Sequence, residues 1–202
     1  MAAVTQRAID EFGQRKAFTA LMAEDYHPFF KLSLGRSMMK FTEDLYYRPD
    51  VVERALKAIV PEWTRFAIEL SKGMDSKIFF FAEERAGCFF YPLKIFERFW
   101  WPYTLDIVDA LWSEGIVSLF HLDQCWDQNI PYFKQLPKGS AIIDLDGCTD
   151  IFAAKEALGG HLCIGGDVHP SLLCLGKPEE VEAYCKRLID EVGSFSPSLH
   201  RD

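Results

Sequence analysis

The sequence predicts an α/β fold built on a parallel sheet of about five strands. Short apolar runs begin at positions 78, 116, 141 and 162, separated by 38, 25 and 21 residues. Each gap carries helical spacing and is long enough for a crossover helix. The runs are continuous rather than alternating, as suits strands buried on both faces. Neither GxGxxG nor the phosphate-loop pattern GxxxxGK(S/T) occurs, so no nucleotide fingerprint argues for a doubly wound sheet.

Taken in order, residues 5–22 read as a helix without a strong cap. Pro28 leads into Phe29–Leu34, a first strand candidate closed by Gly35. Asp50 has the chemistry of an N-cap, and Glu53 three residues on completes a capping-box pattern. Val52, Leu56, Ile59, Trp63, Phe66 and Leu70 then keep helical spacing as far as Gly73. Pro61 inside this stretch predicts a kink or a break, because proline lacks the N–H the helix needs. Ile78–Ala82 is the second strand. A long helix from about Pro92 to Trp112, interrupted at Pro102, ends at Gly115, and Ile116–Phe120 is the third strand. Residues 126–136 form a weak helix, Ala141–Leu145 the fourth strand, Thr149–Leu158 a short helix stopped by Gly159-Gly160, and Leu162–Gly165 the fifth strand. Pro178 opens the last helix, where Glu179 and Glu180 complement the N-terminal dipole. Its apolar stripe of Val181, Tyr184, Cys185, Leu188, Ile189 and Val192 runs to Gly193. The tail, 194–202, is irregular, and residues 1–202 read as one partial domain.

With 202 residues, 49% of them hydrophobic, the chain can bury one sizeable core. The net charge of −8 without any run of basic residues argues against non-specific binding to nucleic acid or an anionic membrane. The polar N-terminus has no signal-peptide core. Six cysteines without a CxxC pair fit a reducing, cytoplasmic location in which they act as small hydrophobes.

In a parallel α/β barrel, chemistry sits where the strands end. Glu83 and Glu84 follow the second strand, His121 and Asp123 the third, Asp146 and Cys148 the fourth, and Asp167 and His169 the fifth. His121 and Asp123, two residues apart on extended backbone, should share a face. Imidazole beside carboxylate is half of a zinc or iron site, or equally a histidine held for proton transfer. Alternation sends Glu83 and Glu84 to opposite faces, so at most one reaches a pocket; a carboxyl group among so many phenylalanines would have a raised pKa. The plainer alternatives are an ion pair to Arg85, a turn at Asp146-Gly147 and an N-cap at Asp150.

The runs His121-Leu-Asp-Gln-Cys-Trp126, Asp144-Leu-Asp-Gly-Cys-Thr-Asp150, Ala157–Pro170 and Gly176–Val181, with weaker matches at the Asp50 helix, Glu83–Gly87 and Phe99–Tyr103, form an ordered set. That set resembles the uroporphyrinogen decarboxylase superfamily over about residues 25–193. The resemblance implies an incomplete (β/α)8 TIM barrel: about five strands of eight, and 202 residues where roughly 250 is typical. The chain is expected to stop before the barrel closes. Members include the haem-pathway decarboxylase, which needs no cofactor and binds an acidic tetrapyrrole through N-terminal arginines and aspartates, and methyltransferases that exchange methyl groups with corrinoid proteins. The methyltransferases hold zinc through a His-x-Cys pair at the position of His121 and a further cysteine near the last strand. Here a carboxylate, Asp123, replaces the thiolate, and no arginine-rich N-terminal stretch is present. The resemblance thus implies a metal-assisted methyltransferase more than a decarboxylase. His121 and Asp123 would be metal ligands and Glu83 and Asp146 catalytic, with Glu84, Cys148 and Asp167 against the substrate. Zinc would be the metal, a corrinoid protein the partner, and a small methyl donor or a tetrapyrrole the substrate. A third reading is a non-catalytic remnant that only packs or binds. Open sheet edges favour a homo-oligomer.

Overall fold

The computed structural model describes residues 22–193, together with Arg7, Asp10 and Glu11. Most of the expected 5–22 helix and the whole of the 194–202 tail lie outside the described residues. Five strands, β1 (Met22–Tyr26), β2 (Ile78–Glu83), β3 (Val117–Leu122), β4 (Ala141–Leu145) and β5 (Cys163–Gly165), make one sheet in the order β1-β2-β3-β4-β5. Every neighbouring pair is parallel. Spatial order follows chain order without reversal, which is barrel winding and not doubly wound topology. Right-handed crossovers in such an order bring the connecting helices to one face.

Those helices are α1 (Pro28–Arg36), α2 (Met38–Tyr47), α3 (Pro49–Gly73), α4 (Leu93–Phe99), α5 (Trp101–Ser113), α6 (Ile151–Leu158), α7 (Pro170–Leu175) and α8 (Pro178–Arg187), with a 3-10 segment at Ile130–Gln135 and a π turn at Leu188–Val192. None of the helices among the described residues is long and apolar enough to cross a membrane.

Several expectations are corrected. Phe29–Leu34 is helical, not a strand: Pro28 sits in the first turn, the His27 ring accepts the Phe29 N–H, and Phe29, Phe30 and Ser33 bury one side of α1. The first strand is instead Met22–Tyr26. Residues 38–47, assigned to no element from the sequence, form α2, and α7 is a further helix that the sequence pattern did not suggest. Asp50 is not the N-cap of α3. The helix starts at Pro49, and Asp50 lies in its first turn, 3.5 Å from Arg98. Pro61 neither splits nor ends α3, which runs unbroken through it. The proline and the residue one turn earlier, Lys57, both face solvent, so water can satisfy the carbonyl left without a partner. The break in the 92–112 helix falls at Trp100, between α4 and α5.

One face of the sheet is packed and the other is open. Alternate residues Phe79, Phe81, Phe120, Ile143 and Leu145 point to the helices and are at most 2% exposed. Trp63 of α3 packs on Phe79 and Phe81, with ring centroids 5.5 and 5.7 Å away, while Phe81 stacks on Phe120 at 4.8 Å. Trp100 is fully buried among Phe96, Phe120, Trp126 and Phe133. Burial of each such ring contributes roughly 1.5–3 kcal/mol. On the opposite face Phe80, Leu119 and Ile142 are only half-buried, and Met22 and Tyr26 are exposed.

Candidate functional site

Parallel strands deliver their C-terminal ends to one rim of the sheet. There His121, Asp123, Asp146, Cys148, Asp167 and His169 line an open cleft of about 540 Å³. His121 is next to last in β3 and lies on the open face, because its neighbours Phe120 and Leu122 are turned into the helix-side core. Asp123, two residues on, comes back to the same side: its Oδ1 is 3.3 Å from His121 Nε2. On the other side of the ring Nδ1 is 2.7 Å from Asp144 Oδ2. Asp144 stands directly opposite His121 in the β3–β4 register, so strand pairing itself builds this contact. A ring held at Nδ1 by a carboxylate presents Nε2 for coordination or proton transfer. Desolvation pushes the Asp123 carboxyl above its ordinary range, against the pull of His121.

Asp146 is held by the backbone around it. Its Oδ2 accepts the Gln124 N–H and its Oδ1 the Cys148 N–H, both at 2.9 Å, so it ties the loop after β3 to the loop after β4. Between them Gly147 has φ +91°, and a Cβ there would meet the His169 side chain at 2.8 Å. Only glycine lets the loop after β4 come so close to the loop after β5. Cys148 Sγ then lies 3.9 Å from His169 Nε2. The His169 Nδ1 accepts the Ser171 N–H, which leaves Nε2 as the protonated nitrogen of the neutral ring. Burial, followed by the charge of Asp146, pushes the Cys148 thiol up. Asp167 is buried and receives the Tyr184 hydroxyl at 2.7 Å; desolvation raises its carboxyl despite that bond. Asp150 caps α6 by accepting the Phe152 and Ala153 N–H groups.

The strand ends therefore bring together His121, Asp123, Asp146, Cys148 and Asp167. Glu84 lies near enough to act on Asp123 electrostatically and also pairs with Arg85 at 3.2 Å. Glu83 is not with them. It falls on the helix-side face, fully buried, with one oxygen accepting the Trp100 indole N–H at 3.1 Å. Desolvation pushes its carboxyl up to about 8. Asp144 is the functional neighbour that sequence reasoning left without a role. Aligning the apolar runs by their starts, 116 and 141, pairs His121 with Asp146 instead; the structure shifts the register by two residues and sets Asp144 opposite the ring.

For a metal, His121 Nε2 and Asp123 Oδ1 are two donors of suitable chemistry, one of them backed by a carboxylate. Among the described residues no group of three His, Cys, Asp or Glu side chains converges as a metal site. The pair thus fits half of a zinc shell, and a closed four-ligand site is not formed by these residues. Among the described residues no lysine or arginine lines the cleft.

The sequence profile of the family described as uroporphyrinogen decarboxylase (URO-D) matches residues 32–199. A uroporphyrinogen decarboxylase from Syntrophotalea carbinolica is 28% identical over 96 residues, 48% of this chain and 27% of that protein. Among solved structures, a methyltransferase from Methanosarcina mazei superposes with a TM-score of 0.71 at 15% identity, over 86% of this chain and 50% of that one. The second likeness is one of fold. The chain matches about a quarter of the length of the curated relative and half of the structural one.

Proposed function

Because the chain belongs to the uroporphyrinogen decarboxylase family, we propose that it serves methyl-group transfer to or from a corrinoid protein, with His121 and Asp123 as two donors to a metal such as zinc. The observation that carries this reading is the chemistry of the cleft. It offers imidazole, carboxylate and thiol groups, and no cationic side chain among the described residues lines it. A tetrapyrrole bearing many carboxylates would meet Asp123, Asp146 and Asp167 without a counter-charge, and like charges at such range repel. A neutral or cationic methyl donor meets no such penalty.

In this reading Asp144 fixes the His121 ring through Nδ1 and keeps Nε2 directed at the cleft. Asp146 holds the two loops that frame it. A bound metal would supply Lewis acidity that lowers a thiol's pKa or polarises an ether or amine. Asp123, its carboxyl already raised, is placed to take up or release a proton beside it.

Metal content and methyl exchange test the proposal together. Protein loaded with zinc and dialysed should retain the ion and exchange methyl groups with a methylated corrinoid, and His121→Ala should lose both. Protein that retains no zinc and exchanges no methyl group would overturn the reading. The second reading, decarboxylation of uroporphyrinogen, is favoured by the sequence match to the Syntrophotalea enzyme; metal-independent release of carbon dioxide from that substrate would establish it instead.

A further inference from the structure

Two cysteines stand beside the cleft with no part in the chemistry proposed for it. Cys88 lies in the loop between β2 and α4, and Cys125 in the loop after β3. Their sulfur atoms are 3.7 Å apart, and the Cys88 thiol donates to the Cys125 carbonyl oxygen at 3.1 Å. The backbones are fastened around them. The Phe89 N–H donates to the same carbonyl at 3.3 Å, and the Cys88 N–H donates to Asn129 Oδ1 at 2.9 Å. Gly87 lies so close under the Trp126 indole that a Cβ there would meet it at 2.9 Å. Both residues are partly exposed. A disulfide needs a sulfur separation of about 2.05 Å. With the loops already joined, side-chain rotation can supply most of that approach.

We propose that Cys88 and Cys125 form a redox-modification site, converted to an intramolecular disulfide by a low-molecular-weight disulfide. One cysteine, as thiolate, attacks the small disulfide, forms a mixed disulfide and expels one small thiolate. The second cysteine then attacks the protein sulfur of that mixed disulfide and expels the other small thiolate. Two electrons pass from the cysteine pair to the small disulfide, and the two thiol protons end on the two small thiols. The new bond locks the loop that carries Glu84 and Arg85 to the loop that carries Asp123 and Gln124, and so stiffens one wall of the cleft. Disulfides in reducing compartments are characteristically transient sensors, and the sulfurs of this pair start 3.7 Å apart on loops already tied together. The inference does not depend on which reaction the cleft performs.

Intact-mass measurement after incubation with glutathione disulfide tests it on the unaltered chain. The expected product has lost two hydrogen atoms, yields a peptide linking positions 88 and 125, and reverts with dithiothreitol. Its thermal midpoint should rise by roughly 10 °C, as closure of a loop of this size predicts. Cys125→Ser should abolish the mass loss and leave a glutathione adduct at Cys88, since burial pushes the Cys125 thiol up to about 11 and makes Cys88 the attacking sulfur. A cross-link mapped to any other pair, adducts confined to the exposed Cys148, Cys163 and Cys174, or an unreacted chain would each overturn the proposal.

Discussion

Glu83 and His121 end neighbouring strands, yet they occupy opposite sides of the sheet. Glu83 is fully buried behind Trp100 on the helix side, while His121 stands on the open side at the rim of the cleft. Both are polar residues closing an apolar run, and one step of β alternation separates their fates. On the packed side a carboxyl group survives by giving up its charge, since burial lifts it to about 8. On the open side an imidazole keeps two carboxylates within reach of its two nitrogens, at 2.7 and 3.3 Å. The same strand ends thus provide a stability element on one face and a chemical element on the other.

The largest expected effect breaks the packed side. Trp100→Ala removes the indole that fills the space between Phe96, Phe120, Trp126 and Phe133 and caps Glu83. It should cost roughly 3–5 kcal/mol in urea unfolding, and a loss under about 1 kcal/mol would show that the two faces do not differ as described. Within β3, Phe120→Ala should cost several times more than Leu119→Ala, because only the former faces the helices.

Next comes the pH profile of stability. Glu83 has a folded pKa of about 8 against an ordinary 4.5, and buried His27 about 3 against 6.5. The folded chain therefore binds an extra proton at Glu83 between about 4.5 and 8, which makes stability fall as pH rises through that window. It binds one fewer at His27 between about 3 and 6.5, which makes stability fall as pH drops through that one. Where the windows overlap, from 4.5 to 6.5, the two slopes oppose and stability should be nearly flat. Of these two, only the Glu83 decline remains between 6.5 and about 8, worth about 2 kcal/mol. Glu83→Gln should abolish the decline between 6.5 and about 8, and a variant that retains it would place its origin elsewhere.

The smallest stability effect belongs to the open side. His121→Ala should shift unfolding by less than about 1 kcal/mol, because the ring is a third exposed, while metal retention and methyl exchange are lost. Asp144→Asn should weaken metal retention about 10–100-fold with the fold intact, as expected for a residue that orients a ligand. Equal retention in wild type and Asp144→Asn would remove the orienting role.

Legibility in the sequence followed the same division. The runs at 78, 116, 141 and 162 were readable because both faces of those strands carry apolar residues. The first strand, Met22-Ala-Glu-Asp-Tyr26, was not: among the described residues it pairs on one side only, and it buries Ala23 alone and reads as polar. Phe29–Leu34 misled in the opposite sense, since an apolar run after a proline looks like a strand until one sees Pro28 opening a helix and His27 capping it. His121 and Asp123 were legible as a pair from two-residue spacing, a local signal. Their third neighbour, Asp144, depends on register between strands 23 residues apart, and one sequence does not state that register. Glu83 is placed by which face the helices choose to cover, a tertiary choice beyond the reach of alternation.

The sheet's unequal pairing has a consequence on the clock as well as in energy. β2, β3 and β4 have neighbours on both sides, while β5, among the described residues, pairs over three residues only, Cys163–Gly165, and on one side. In deuterated solvent the amides of Phe81, Phe120 and Ile143 should exchange only through global opening, and those of β5 through cheap local fraying. The wall of the cleft that carries Asp167 and His169 would then breathe many times for each opening of the wall that carries His121.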